Sequence, residues 1–298
     1  MVKTEGILSQ IGNTPLVKTT RLVNKPNVEL FLKLEGNNPG GSVKDRAAYN
    51  MIAEALKKGV IREGGTLVEA TSGNTGIALA YVAQLFGLKI KLVMPETATI
   101  ERVKTMKAYG AEVILTSSEK GIEGSRDIAF NMRDEKGYVL LNQFENNDNW
   151  KAHYKTTGPE IWRDTNGAIT HFVSAMGTTG TIMGTSTFLK EQNNTITIVG
   201  AQPEDGSRIP GIRKWSPDYV PGIFNPSKVD KIIEVNQTEA IEMSQRLAKE
   251  EGIFAGMSSG GSVASALKLI ETIEEGLVVA VICDRGDRYL SSPLFDEL

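Results

Sequence analysis

Short β-branched runs alternate with stretches of helical spacing along most of the chain. Val28 to Leu34 reads as a strand. From Val43 to Lys58, apolar side chains at positions 47, 48, 51, 52, 55 and 56 fall on one helical face, and Gly59 is placed to end that helix. Strand Thr66–Ala70 and helix Thr75–Phe86 follow, then strand Ile90–Met94 and helix Thr99–Tyr109. Strand Glu112–Thr116 leads to a helix at Ile122–Glu135, and Tyr138–Gln143 reads as a further strand. After the polar stretch Glu145–Asn149 the alternation resumes. It gives strand Ile169–Ala175, helix Thr181–Lys190, strand Thr195–Ala201, helices Thr238–Glu250 and Ser259–Ile273, and strand Leu277–Cys283. Regular alternation of this kind predicts an α/β protein with doubly wound parallel sheets covered by helices on both faces. Two such series predict two domains, 1–148 and 149–298, with a cleft between them. The longest non-periodic segment, Gln202 to Lys228, carries Pro203, Pro210, Pro217 and Pro221, and long loops of this kind are often functional.

Composition narrows the classes. A hydrophobic fraction of 40% over 298 residues is enough for buried cores in two medium domains. Lys and Arg number 33 against 36 Asp and Glu, for a net charge of −3, and no long basic stretch suggests nucleic acid. The first residues lack the apolar core of a signal peptide, and no apolar run is long enough to span a bilayer, so the expectation is a cytoplasmic enzyme. One cysteine, Cys283, rules out an intrachain disulfide. With two histidines and that single thiol, the composition argues against a structural zinc site, and no metal is expected.

Three loops, each where a strand feeds a helix, carry unusual chemistry. Ligands of open α/β sheets bind at such carboxyl ends. The first loop, Asn37 to Arg46, places Lys44 in a first helical turn, where the helix dipole disfavours its charged form and favours amine chemistry. Taken alone, the same lysine reads as a surface residue between polar neighbours. The second loop, Thr71-Ser-Gly-Asn-Thr-Gly76, gathers hydroxyl, amide and backbone N–H donors at a helix start. One such residue suffices for a cap, and four point to an anion such as a carboxylate. The third, Gly177-Thr-Thr-Gly-Thr181, has the form of a phosphate cup or of a tight turn. It is not a Walker loop, because no Lys-Ser or Lys-Thr follows, and the chain has no dinucleotide fingerprint. A phosphate cup, a carboxylate loop and an amine together meet the needs of an amino-acid enzyme using pyridoxal phosphate.

Ile11-Gly-Asn-Thr-Pro-Leu16, Lys33-Leu-Glu-Gly-Asn37, Gly41-Ser-Val-Lys-Asp-Arg46, Glu69 to Gly76 and Gly177 to Thr181 resemble motifs of the cysteine synthase/cystathionine β-synthase family of fold type II pyridoxal enzymes, which is tryptophan synthase β-like. Thr156-Thr-Gly-Pro-Glu-Ile-Trp162, Ile209-Pro-Gly-Ile-Arg213, Pro221-Gly-Ile-Phe224 and Ile282-Cys-Asp-Arg-Gly-Asp-Arg-Tyr289 resemble the B-type branch of that family, which also accepts thiosulfate. The resemblance covers nearly the whole chain. It implies that the cofactor sits in the cleft and that residues about 15–36 pack with the C-terminal domain.

The resemblance also implies roles. Lys44 would carry the cofactor and shuttle the substrate's α-proton. Asn74 would bond the cofactor's 3'-oxygen, Gly177, Thr178, Thr179, Gly180 and Thr181 would cradle its phosphate, and Ser258 would face its ring nitrogen. For Ser258 a helix N-cap is a compatible second role. Thr71, Ser72, Thr75 and Gln143 would hold the substrate α-carboxylate. The implied reaction is β-replacement on O-acetylserine with sulfide or thiosulfate, giving cysteine or S-sulfocysteine, in a homodimer. Arg213, otherwise half of a solvated basic pair with Lys214, would stand at the mouth and receive an anionic sulfur donor. Cys283 reads as a small buried hydrophobe and not as a nucleophile. O-phosphoserine, serine or homocysteine as substrates, a dehydratase, and a non-catalytic binding module on the same fold remain alternatives, the last weakened by the presence of Lys44.

Overall fold

Most of the apolar runs form strands, and the strands sort into two sheets. The computed structural model describes residues 6–295. Its strands are β1 Leu16–Lys18, β2 Val28–Leu34, β3 Thr66–Ala70, β4 Lys89–Pro95, β5 Glu112–Thr116, β6 Val139–Leu140, β7 His171–Ala175, β8 Thr197–Pro203, β9 Lys231–Val235 and β10 Gly276–Ile282. The helices are α1 Lys44–Lys57, α2 Asn74–Leu85, α3 Ile100–Ala108, α4 Gly121–Lys136, α5 Asn147–Lys155, α6 Thr157–Asp164, α7 Gly180–Gln192, α8 Gln237–Glu251 and α9 Met257–Glu271. One sheet has the order β5-β4-β3-β6 and is parallel throughout; the other runs β1-β2-β10-β7-β8-β9 and is parallel except for the β1–β2 edge. The fold is α/β with doubly wound parallel sheets.

Pairing of β2 with β10 decides where the chemistry sits. Their parallel register runs from Val28 opposite Gly276 to Leu34 opposite Ile282. The segments leaving both strands therefore run side by side. The Val43 N–H donates to the Cys283 carbonyl at 2.8 Å, and Ser42 bridges to Asp284. The start of α1 is thus fixed against the carboxyl end of β10, although 230 or more residues separate them in sequence.

Burial follows the periodicity. In α1, Ala47, Ala48, Met51, Ile52 and Ala55 are buried in one core with Leu67, Leu79 and Leu92 from β3, α2 and β4. The larger sheet buries Leu30, Leu32, Val278 and Ala280 against one helix layer, and Phe172, Ile198, Val279 and Val281 against the other. Truncating a fully buried side chain such as Leu92 to Ala would cost about 2–5 kcal/mol. Across the base of α1 runs a buried ionic cluster. The Arg46 guanidinium donates to Glu35 at 2.7 Å and to Glu160 at 2.6 Å, and the Lys33 amine lies 2.9 Å from Glu160. Burial alone would raise both carboxyls, but the Arg46 charge and hydrogen bonds hold Glu35 below its ordinary range and, with Lys33, bring Glu160 down to about 2.

Several elements differ from the sequence reading. Only Val139–Leu140 of the strand expected over Tyr138–Gln143 pairs, because Asn142 turns the chain at φ +49° and Asn146 caps the Leu141 carbonyl at 2.9 Å. Helix α5 begins inside the polar stretch Glu145–Asn149, and α5 and α6 together occupy a region up to Asp164 for which no element is predicted. Edge strand β9 lies outside the predicted elements; its exposed positions mix Lys231 and Glu234 with Ile232, and the run shows no clean alternation. Strand β10 ends at Ile282, so Cys283 follows the strand instead of closing it.

Candidate active site

Lys44 is the first residue of α1, and no side chain caps that helix end. The loop before it is tight. Gly41 has φ +80°, a conformation that favours glycine, and the Gly40 N–H donates to the Asp45 carboxylate at 2.5 Å. Burial lowers the Lys44 pKa, with the nearby Cys283 and Asp284 acting against the shift. An amine so placed is more readily found uncharged than a surface lysine. Burial, helped by the Asp284 charge, pushes the adjacent Cys283 thiol up to about 12, so it stays protonated and is a poor nucleophile at neutral pH.

The loop from β3 to α2 carries Thr71, Ser72, Asn74 and Thr75. The Thr75 hydroxyl donates to the Gln143 side-chain oxygen at 2.8 Å, and the Gln143 amide hydrogens have no partner among the described residues. Asn74 is gripped from the other sheet's C-terminal segment. Its amide nitrogen donates to Asp284 at 2.6 Å, its oxygen accepts from Arg288, and Tyr289 donates to the same Asp284 oxygen at 2.6 Å. These partners fix which way the Asn74 amide faces.

The loop from β7 to α7 is packed more closely. A side chain at Gly177 would place Cβ 2.6 Å from the Gly211 carbonyl, and one at Gly180 would collide with Asn149. Thr179, the residue that precedes α7, adopts φ +69°, which is uncommon for a β-branched residue. The Asn149 amide donates to the Gln143 carbonyl at 2.7 Å and to the Thr178 hydroxyl at 3.2 Å, tying the segment after β6 to the 177–181 loop. His153 stands behind Thr181, with Nε2 3.4 Å from its hydroxyl.

All three loops open on one cavity of about 650 Å³, the size of small-molecule sites. Lys44, Thr71, Ser72, Asn74, Thr75 and Gln143 line one part of it. Gly177, Thr178, Thr179, Thr181, Ser258 and Arg213 line another, and Gly180 lies within the same loop as the first of these.

Known proteins share this architecture. A profile of the family described as pyridoxal-phosphate dependent enzyme matches residues 7–284. Cysteine synthase B of Salmonella typhimurium (strain LT2) is 58% identical over 287 residues, 96% of this chain and 95% of that protein. This chain belongs to the cysteine synthase family of pyridoxal-phosphate dependent enzymes. The crystal structure of cysteine synthase (OASS) from Entamoeba histolytica superposes with a TM-score of 0.93 at 37% identity, covering 98% of this chain and 91% of that one. That of O-ureido-L-serine synthase also gives 0.93 at 37% identity, over 99% and 96%.

As a member of the cysteine synthase family the enzyme uses pyridoxal 5'-phosphate, and the site fits that group. The Thr179 hydroxyl is buried with no hydrogen-bond partner among the described residues, which suits an anion acceptor at the loop. Lys44 offers an amine of lowered pKa in the same cavity. Ser258 is the second residue of α9, and Gly256 occupies the cap position, so the N-cap role expected for Ser258 does not hold. Its side chain is buried and lines the cavity.

Several cavity residues escaped the sequence reading. Arg102 and Arg126 line the cavity, the former over the Tyr289 ring at 5.3 Å and the latter over Phe144 at 6.0 Å. Trp215 donates to the Gly177 carbonyl at 3.0 Å and lies under the Arg213 guanidinium at 5.2 Å. Asn149 and His153 had one available signal: they lie within a few residues of the family motif Thr156 to Trp162, in a stretch too polar to show a period. Among the described residues no cluster of potential metal ligands occurs, and no helix is long and apolar enough to cross a membrane.

Proposed function

We propose that the enzyme replaces the acetoxy group of O-acetyl-L-serine with sulfide or thiosulfate, giving L-cysteine or S-sulfocysteine plus acetate. The observation that carries this reading is the single cavity in which Lys44 shares space with the Thr71–Thr75 loop, the 177–181 loop and a rim of cations. Bound pyridoxal phosphate supplies the electron sink for negative charge developing at the substrate's Cα. Lys44 would hold the cofactor, Gly177 to Thr181 its phosphate, Asn74 its 3'-oxygen and Ser258 its ring nitrogen.

The chain's own residues do the rest. Thr71, Ser72, Thr75 and the free amide of Gln143 hold the α-carboxylate. This orients the Cα proton toward Lys44. The substrate's α-amine takes the place of Lys44 on the cofactor, and the Lys44 amine so released, whose cation burial disfavours, takes that proton. Acetate leaves Cβ with its bonding electron pair, the sulfur donor brings a pair to Cβ, and Lys44 returns the proton to Cα. Ser258 presents a neutral hydroxyl to the ring nitrogen. Lacking a carboxylate's charge, it leaves the sink weaker, which suits loss of a β-substituent. Closure of the Thr71–Thr75 side over the substrate would keep water from the reacting Cβ.

Arg213 favours thiosulfate as a donor. Its guanidinium lies over Trp215, which is tied to the Gly177 carbonyl, so a planar donor fork sits at the cavity's rim beside the phosphate loop. Because Arg213 is exposed, its effect belongs at the low end for charged hydrogen bonds, about 10-fold in rate. Steady-state kinetics of Arg213→Ala should show kcat/KM for thiosulfate falling about 10-fold, with sulfide changed less than about 2-fold. Equal losses for both donors would remove Arg213 from donor choice. The same charge suits O-phosphoserine as acceptor, so both acceptors belong in the comparison.

A further inference from the structure

His153 is buried at the end of α5 and touches the phosphate loop from behind, yet nothing in the reaction above uses it. Its Nδ1 lies 2.9 Å from the Thr157 hydroxyl, and its Nε2 lies 3.4 Å from the Thr181 hydroxyl. We propose that His153 is a positioning residue of the cofactor's phosphate site: held in one tautomer by Thr157, it makes the Thr181 hydroxyl a donor toward the phosphate. The proposal rests on the reading of Gly177–Thr181 as the phosphate loop.

Donor accounting selects the tautomer. Thr157 is fully buried, and His153 Nδ1 is the one hydrogen-bond partner its hydroxyl has among the described residues. If Nδ1 carried the proton, the Thr157 O–H would be buried without an acceptor. With Nδ1 bare, Thr157 donates to it and the ring proton lies on Nε2, facing Thr181. Thr181 then accepts from the ring, and its own proton is directed away from the ring toward the cavity it lines. The opposite arrangement would spend the Thr181 proton on the ring and present only lone pairs to an anion. A neutral ring is required, because a doubly protonated one has no acceptor for Thr157. Burial and the Arg46 charge lower the His153 pKa to about 3, so the ring is neutral at physiological pH.

The test reads the affinity of the apoenzyme for pyridoxal 5'-phosphate and the phosphorus-31 resonance of the bound cofactor. Thr181→Val should weaken binding about 10-fold and shift the resonance. His153→Asn, which keeps a polar group near Nδ1 and none at Nε2, should weaken binding about as much and shift the resonance likewise. Combined with Thr181→Val it should add less than about 2-fold. His153→Gln, whose amide nitrogen reaches the Nε2 position, should recover most of the affinity. If Thr181→Val leaves both readouts unchanged, the loop does not hold the phosphate and the proposal falls with that reading. If Thr181→Val weakens binding while His153→Asn does not, or if the two losses multiply, the loop assignment stands and the role of His153 is wrong. Should His153→Asn fail to fold, Thr157→Val takes its place. It should weaken binding while Thr157→Ser does not, and equal behaviour of the two would overturn the proposal.

Discussion

The loops Thr71–Gly76 and Gly177–Thr181 are built alike, each a glycine-bounded turn from a parallel strand into a helix, but the protein supports them differently. Behind Gly177–Thr181 the packing is closed. Gly177 abuts the Gly211 backbone, Gly180 abuts Asn149, and Thr178 and Thr181 meet polar groups of α5. Around Thr71–Asn74 it is more open, although Gly76, inside α2, lies tight against Met106. Gly73 has no neighbour within reach of an added methyl, Ser72, Gly73 and Asn74 are half-buried, and the loop is held by Asn74 to the C-terminal segment and by Thr75 to Gln143. A resident cofactor needs a fixed anchor, and a substrate that enters and leaves each turnover needs a loop able to move. The two supports suit the two tasks proposed for these loops.

Glycine substitutions press this contrast hardest. Gly177→Ala forces the Gly211 carbonyl to move and should weaken cofactor affinity by about 100-fold or more. Gly73→Ala has φ −113° and open space, and should change cofactor affinity less than about 3-fold. Cofactor titration of the two apoenzymes reads the difference, and the reverse order would break the comparison.

Next in size are the side chains of the open loop. Thr71→Val and Gln143→Ala should lower kcat/KM for O-acetylserine by about 10- to 100-fold through the amino acid's KM or the chemical step, with the cofactor still bound. Loss of cofactor with normal amino-acid binding would reverse the assignment of the two loops.

The smallest effect is on pH dependence, and it has opposite signs on the two sides. Glu69, at the end of β3 beneath the open loop, is raised to about 7 by burial, with the Asn142 N–H acting against the shift. Between its ordinary pKa and about 7 the folded state keeps a proton that the unfolded state has lost. Stability from this group therefore drains away as pH rises through about 7. His153, behind the closed loop, is lowered to about 3. Between its ordinary pKa and that value the unfolded state holds the extra proton, so stability is lost as pH falls through that window. Each slope is worth on the order of 1–3 kcal/mol. Urea unfolding across pH should show Glu69→Gln removing the loss of stability between the ordinary glutamate pKa and about 7, and His153→Asn flattening the acid limb. Unchanged limbs would mean that neither group is held as described.

How much was legible in the sequence follows the same physics. Helix α1 buries one apolar face and shows its period, while α2, β3, β7 and β10 are buried on nearly all sides and show as continuous apolar runs between turn residues, which is why all five are legible within a residue or two. The three loops were legible because they demand glycine, threonine and asparagine in numbers that a cap does not. Helix α5 was not, because the residues it buries include Asp148, Asn149 and His153, hydrogen-bonding groups that leave no apolar period. Asn149 and His153 support the closed loop across distances that only the fold creates. The grip of Asp284 and Arg288 on Asn74 likewise spans 210 and 214 positions and leaves no local trace.

Every part of this account turns on Lys44 as the residue that carries the cofactor between the two loops. Borohydride reduction of the holoenzyme fixes the cofactor to the lysine that holds it, and peptide mass spectrometry then locates the label. The label should lie on Lys44 alone, and Lys44→Ala should take up none. A label on another lysine, or turnover in Lys44→Ala near the wild-type rate, would contradict the account.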